Sequence, residues 1–385
     1  MKRANGEGSI CFNATRKRFE FKISYLDPAT GSTKRKLFTS QKSAKEAKQK
    51  AKEFVESMQT NSEQSLTLQN WLNKWLEEYQ KNAVKIKSYE RYKNLIDKNI
   101  ADHNIGNTEL SKLSTSQIQQ HLNFLLRNGG AKQDGLAPRS VNATRRLLIQ
   151  ALNVAADINL LKSNPAIKTK PMKVQASEIR IISHEESKIL LKTALQHSRP
   201  AWIIINLALS TGMRISEIFG LEWSNIDLKK KILKIDKIVV TTTKGIMIQN
   251  SAKTKLSKRS IPLPDSTCNA LKRYRLWQKI QSIRFGFKYM ESNWVLANAK
   301  GMPRSPNSFS AHDFKQILKK AGIDTNVRIH DLRHTHATWL LEAGINVKIV
   351  SERLGHSSCR ITLDTYSHVL KTMQDEAVQA LNKIL

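Results

Sequence analysis

The spacing of apolar residues changes period near residue 65. That change limits the chain to a small sheet followed by helical lobes. Phe19, Phe21, Ile23 and Tyr25 alternate with Glu20, Lys22 and Ser24, the period of two of a half-buried strand. Asp27 to Ser32 reads as a turn, and Lys34-Arg35-Lys36-Leu37-Phe38 resumes an extended, basic segment. Residues 8–40 are therefore expected to be strands, followed by a helix from about Ser43 to Met58. Thr60 to Ser65 is polar and reads as a linker. Beyond it Leu68, Trp71, Leu72, Trp75, Leu76 and Tyr79 fall on one helical stripe. At this spacing the stripe reads as core rather than as a base-stacking platform.

Further helices are expected at about 87–100, 115–127 and 138–157, the last with Pro138 in its first turn. In that helix Val141, Leu148, Leu152, Ala155 and Ile158 should face inward, leaving Arg139, Arg145 and Arg146 for phosphate contacts. Asn164-Pro165 through Pro171-Met172 shows little periodicity and reads as a linker or domain boundary, and two lobes on such a basic hinge can close around a duplex. From about Glu178 helices dominate. Trp202 to Leu209 should be buried, and Gly212 should supply a sharp backbone between two helices. Ile232–Ile235, Ile246–Ile248 and Ser260–Leu263 read as one three-stranded antiparallel sheet, with Lys253, Lys255 and Lys258 on the turn before its last strand. Val369 to Leu385 reads as a final helix that docks on a neighbouring subunit.

Charge narrows the partner. Sixty-four Lys and Arg against thirty-two Asp and Glu give +32 at pH 7. Such an excess predicts a polyanion, nucleic acid above all. Residues 1–60 alone carry fourteen basic and six acidic side chains. A basic sheet with one supporting helix can enter a major groove; a solvated sheet capping another domain is the alternative. Cys11, Cys268 and Cys359 form no CxxC pair, so neither a zinc finger nor a disulfide framework is supported, and a reducing interior is expected. No apolar run approaches the length of a membrane span and no signal-peptide core follows the polar N-terminus. An intracellular, soluble protein is expected.

The chemistry concentrates in a few short stretches: His330-Asp331-Leu332-Arg333-His334-Thr335-His336, then Leu354-Gly355-His356-Ser357, then Thr365-Tyr366-Ser367-His368, preceded by Thr211-Gly212-Met213-Arg214-Ile215-Ser216-Glu217. A phenol is a poor nucleophile until its pKa falls from about 10. Nearby fixed cations are expected to lower it and to hold a phosphate. Glu217 either orients Arg214 or simply caps a helix. His334 and His336 read as structural.

These segments resemble the tyrosine recombinases, and within them the phage-type and conjugative-transposon integrases, over essentially the whole chain. The resemblance implies a mainly α fold with small β-sheets. It would comprise an N-terminal three-stranded sheet plus helix (1–60) for arm-type DNA sites, a helical SAM-like domain (65–165) for the core site, and a mixed, mainly α catalytic domain (175–385). It assigns the site to Arg214, Lys253, His330, Arg333, His356 and the nucleophile Tyr366, with Lys255 and Lys258 as alternatives for the lysine. An attacked phosphodiester gathers charge on its non-bridging oxygens, which Arg214 and Arg333 can each bind with two donors. His330 would take the phenolic proton, His356 would hydrogen-bond the phosphate, and Lys253 would protonate the departing 5′ oxygen. The 3′-phosphotyrosyl ester keeps the bond energy, so no ATP, cofactor or metal is expected, and no GxxxxGK[ST] loop occurs. By the same resemblance the partners are double-stranded attachment-site DNA, three further copies in a homotetramer, an excisionase and a host DNA-bending protein. The place of action is the nucleoid of a bacterial cytoplasm.

Three other classes fit parts of the sequence. His330 and His334 at i, i+4 can share one metal, but Asp331 stands where a zinc hydrolase HExxH has Glu, and no third ligand is evident. A non-catalytic DNA-binding regulator needs none of the six residues in this order. A type IB topoisomerase shares the nucleophile, but not the basic N-terminal lobe or the docking helix.

Overall fold

The computed structural model describes residues 9–26, 33–62, 66–175, 179–250, 258–285, 293–372 and 381–382. The chain divides into two compact units, Met1–Gln175 and Ala176–Leu385.

The first unit opens with the antiparallel sheet that the period-two pattern predicts: β1 (Ser9–Asn13), β2 (Arg18–Leu26) and β3 (Thr33–Ser40), in that order. Phe21 and Ile23 bury one face of it against Ala47 and Ala51 of α1 (Ala44–Ser62). The expected turn at Asp27–Ser32 lies outside the described residues. Helix α1 runs through Thr60–Ser62, so part of the expected linker is helical; Glu63 to Ser65 lie outside the described residues.

A separate helical core follows, built from α2 (Leu68–Trp75), α3 (Ile86–Ile96), α4 (Thr115–Asn128) and α5 (Pro138–Asp157). Trp71 and Trp75 are fully buried, and the Trp71 indole donates to the Ala151 carbonyl at 3.0 Å. The stripe breaks at its end, because residues 76–80 widen into a π-turn. The extra residue rotates the face by one position, leaving Tyr79 38% exposed and Gln80 8% exposed. Ile158, just past the end of α5, is 43% exposed rather than inward, since the helix has already terminated.

The expected hinge at 164–172 is no free linker. Asn142 and Met172 exchange two 2.8 Å bonds, Arg145 donates to Thr169, and the Lys170 amide donates to Gln119. Ala166 is buried. The prolines stop a helix from forming, and side chains of α4 and α5 take up the backbone groups left over. Arg145 spends its Nε and Nη2 donors on this segment.

The second unit is organised around α7 (Arg199–Thr211), which is apolar on all sides and packed by α6 (His184–His197), α9 (Asp265–Arg284) and α12 (Asp331–Glu342). Ser183 and Glu186 make a capping box on α6, and Ser198 caps α7. Gly212 ends α7 at φ +66° and leads to the short α8 (Ile215–Phe219). The expected three-stranded sheet is wrong in its pairing. A sheet of β4 (Ile226–Asp227), β5 (Ile232–Ile235) and β8 (Arg259–Pro262) is separate from a hairpin of β6 (Lys237–Thr242) and β7 (Gly245–Asn250). Reading missed β6, whose Val239 is fully buried. A one-turn α10 (Pro306–Ser308) leads through a π-turn into α11 (Phe314–Lys320). Then come α12, α13 (Val347–Leu354) and α14 (Cys359–Thr372). Of the expected final helix, residues 373–380 and 383–385 lie outside the described residues. Among the described residues no helix is long and apolar enough to cross a membrane.

Candidate active site

Two glycine turns and one buried carboxylate frame the site. Gly212 ends α7, and Gly355 ends α13 at φ +68°, both in the left-handed region that favours glycine. A Cβ on Gly212 would lie 2.6 Å from the His336 ring and 2.8 Å from the Leu354 side chain. Close approach, as well as dihedral angle, therefore demands glycine there.

The two motif arginines lock these turns together. Arg333, buried on the first turn of α12, donates to the Gly212 carbonyl at 2.8 Å and to the Leu354 carbonyl at 2.7 Å. Arg214 donates to the next carbonyl, Gly355, at 3.2 Å. The guanidiniums thus sit on successive carbonyls of one turn. Two of the five N–H groups of Arg333 make these bonds, and its others bond no described residue.

Glu217, 4% exposed, fixes Arg214 from the other side. Its carboxylate accepts from the Arg214 amide (2.9 Å) and guanidinium (3.0 Å). It also accepts two bonds from Arg259, at 3.1 and 3.0 Å. Burial pushes the Glu217 carboxyl up, but the Arg259 bonds and the charges of Arg259 and Arg214 outweigh it and hold it below the usual range. Two guanidiniums, those of Arg214 and Arg259, share this single carboxylate and Arg333 adds a third charge close by, so the pocket keeps a positive excess. Burial and the Arg214 charge pull Arg333 down to about 9, a shift that a bound anion would reverse.

The imidazoles face the same charges. His356 follows Gly355, and its Nδ1 lies 2.8 Å from the buried Thr362 hydroxyl, which fixes the ring. Partial burial, then the charges of Arg333 and Arg214, lower it to about 4. His330 stands at the start of α12, its ring 5.0 Å from that of His334. Burial and then the neighbouring His334, Arg333 and Arg214 lower it to about 4; because its outer edge is exposed, solvent moderates the burial part. His336 is buried, with Nδ1 at 2.7 Å from the Leu209 carbonyl and Nε2 accepting from Arg353 at 3.1 Å, which fits its expected structural part.

Tyr366 lies in α14 where the backbone leaves helical geometry (φ −117°, ψ 19°). Its ring packs on Ala337, Leu341, Val350 and Leu354 and is 1% exposed. Its hydroxyl sits 2.8 Å from His334 Nδ1. The expectation that nearby cations lower this phenol is overturned. Burial raises it to about 12, and the Arg333 charge offsets only part of the rise.

Five of the six expected residues thus converge. Lys253 lies outside the described residues, as does Lys255; Lys258 is exposed and pairs with Asp236 at 3.2 Å. Reading missed Arg259, although strand period two places it on the same face as the buried Ile261. It also missed the His334–Tyr366 contact. Among the described residues no group of three or more His, Cys, Asp or Glu is placed to hold a metal.

Comparison with known proteins gives the family. The phage integrase family matches residues 180–373, and the phage integrase N-terminal SAM-like domain matches residues 67–126. A tyrosine recombinase XerC-like protein of Caldanaerobacter subterraneus subsp. tengcongensis is 30% identical over 367 residues, covering 89% of this chain and 90% of the relative. The ICEBs1 integrase of Bacillus subtilis is 24% identical over 96% of this chain and 98% of its own. The Tn1549 transposon integrase, solved in complex with a circular intermediate DNA, shares the fold at a TM-score of 0.67 and 18% identity, over 81% of this chain and 99% of that one. The chain belongs to the phage integrase family of tyrosine recombinases. Its activity is that of a tyrosine-type site-specific recombinase of the integrase kind.

Proposed function

We propose that Tyr366 attacks a DNA phosphodiester held by Arg214 and Arg333, forming a 3′-phosphotyrosyl link that a 5′-hydroxyl later reverses. The observation that carries this is the seating of both guanidiniums on the adjacent Leu354 and Gly355 carbonyls, beside His356 and the Tyr366 pocket. Preorganised donors of this kind are each worth about 3–4 kcal/mol in a transition state. His356, fixed by Thr362, adds a donor or acceptor to the phosphate, and His330 lines the same cationic cluster. Lys253 is the proposed acid for the 5′ oxygen.

Double-stranded DNA is the proposed partner, supported by the charge of +32 and by the DNA-bound Tn1549 relative. Residues 1–60 would read arm-type sites, residues 65–165 would grip the core site, and residues 175–385 would cut and rejoin. Four protomers on two duplexes, an excisionase and a host DNA-bending protein complete the proposal, with action at the bacterial nucleoid. The element is of the mobile kind represented by the relatives.

The test is trapping. Full-length protein is incubated with a nicked duplex copied from the junction of the circularised element, then denatured. A covalent protein–DNA adduct is expected, and Tyr366→Phe should bind the duplex but leave no adduct. An adduct that survives this substitution would refute the assignment.

A further inference from the structure

The Tyr366 hydroxyl has one hydrogen-bond partner among the described residues, and it is not one of the six expected residues. His334 Nδ1 lies 2.8 Å from it, with ring centroids 5.7 Å apart. We propose that His334 is the base that takes the proton of Tyr366 as the phenol attacks phosphorus. This rests on the reading of Tyr366 as nucleophile.

Three observations carry the proposal. The phenol is sealed by Ala337, Leu341, Val350 and Leu354, so the base must already be in contact with it. His334 is that contact, whereas the His330 ring makes no hydrogen bond to a described side chain and His356 turns Nδ1 to Thr362. Finally, His334 follows Arg333 directly on α12. The proton acceptor and a phosphate-binding guanidinium are thus carried by neighbouring residues of one helix, which fixes their separation.

The charge environment keeps the acceptor neutral. Burial lowers His334, and Arg333 and Arg328 lower it further against the opposing Asp331. His330 on the same helix, His356 after α13 and Tyr366 on α14 are the other titratable groups facing it. A neutral imidazole with its proton on Nε2 accepts the phenolic hydrogen at Nδ1. The buried phenol ionises only near 12, so it supplies almost no phenolate by itself and needs a base in contact.

The step balances. The Tyr366 oxygen bonds to phosphorus and the bond from phosphorus to the 5′ oxygen breaks. The phenolic proton passes to His334 Nδ1, and the 5′ oxygen takes a proton from a separate acid, for which Lys253 is proposed. In rejoining, the 5′-hydroxyl attacks, the acid recovers its proton, and His334 returns the other to the departing phenolate.

The experiment uses full-length His334→Ala and His334→Gln on the same junction duplex, made with either an ordinary or a sulfur-substituted bridging 5′ position. Sulfur leaves without an acid, so it isolates the nucleophile side. Adduct formation by His334→Ala is expected to slow by about 100-fold or more on both duplexes, with DNA binding within about twofold of wild type. His334→Gln keeps a polar group but cannot titrate. It should be slowed as well, and should lack the fall in rate that is expected of the wild type as pH drops below the ordinary imidazole value. His334→Ala within a few fold of wild type, rescue of it by sulfur, or an unchanged acid limb in His334→Gln would each overturn the proposal. If His334→Ala does not fold, the His334→Gln profile decides alone. A surviving adduct in Tyr366→Phe would fail the nucleophile reading; loss there with full activity in His334→Ala would fail only the base.

Discussion

Glu217, itself buried, balances the charges of the buried Arg259 side chain and of Arg214, whose side chain is 39% exposed. Removing one partner of such a buried cluster leaves the others uncompensated, at a cost of about 3–5 kcal/mol. Glu217→Gln is therefore expected to lose stability on that scale in urea melts and to lose Arg214-dependent adduct formation as well. A loss below about 1 kcal/mol would show that the carboxylate is dispensable. His336, with His330, His334 and His356 lowered in the same direction, contributes to the pH response. Its ordinary value is 6.5, and in the folded chain burial and Arg353 lower it to about 4. A depressed value means that the stability it contributes is complete above 6.5 and is lost as pH falls through that window. The slope is at most about 1.4 kcal/mol per pH unit for one histidine. Urea midpoints should be flat above pH 7 and decline between 6.5 and 4, less so in His336→Gln; a midpoint that rises on acidification contradicts this. Glu217, also depressed, adds its loss below the ordinary carboxylate value of 4.5.

Among the elements, α5 was legible to the residue, because Pro138 marks its start and a continuous stripe marks its length. What escaped were places where local geometry departs from a constant period. The π-turn at 76–80 exchanges Tyr79 for Gln80, and nothing in composition signals an inserted residue. The pairing of β5 with β8, across an intervening hairpin, depends on tertiary contact rather than on any local pattern. The 164–172 segment looked like a hinge because its prolines and lysines suit one. Its tethers come from Asn142, Arg145 and Gln119, all distant in sequence. Asn142→Ala removes both bonds to Met172, at about 1–3 kcal/mol. Hydrogen exchange across residues 164–172 should accelerate in that variant; unchanged protection would restore the hinge reading.

At the scale of the molecule, Arg214, His330, Arg333, His356 and Tyr366, named from motifs far apart in sequence, lie together in one unit. Their electrostatics were less legible. A sequence shows which charges are near, but not that the phenol is buried, and burial decides the sign of its shift. The basic excess of +32 belongs to the whole chain and predicts steep salt dependence. Affinity for the junction duplex should fall log-linearly with salt, with a slope of about −0.9 per phosphate contacted; a flat profile would argue against a DNA clamp. The central claim, that one phenol carries the broken strand, is tested most directly by mass spectrometry. Wild-type protein is trapped on the junction duplex, digested with nuclease and protease, and its nucleotide-bearing peptide sequenced. A 3′-nucleotide on Tyr366 is the predicted result, and a nucleotide on any other residue would contradict it.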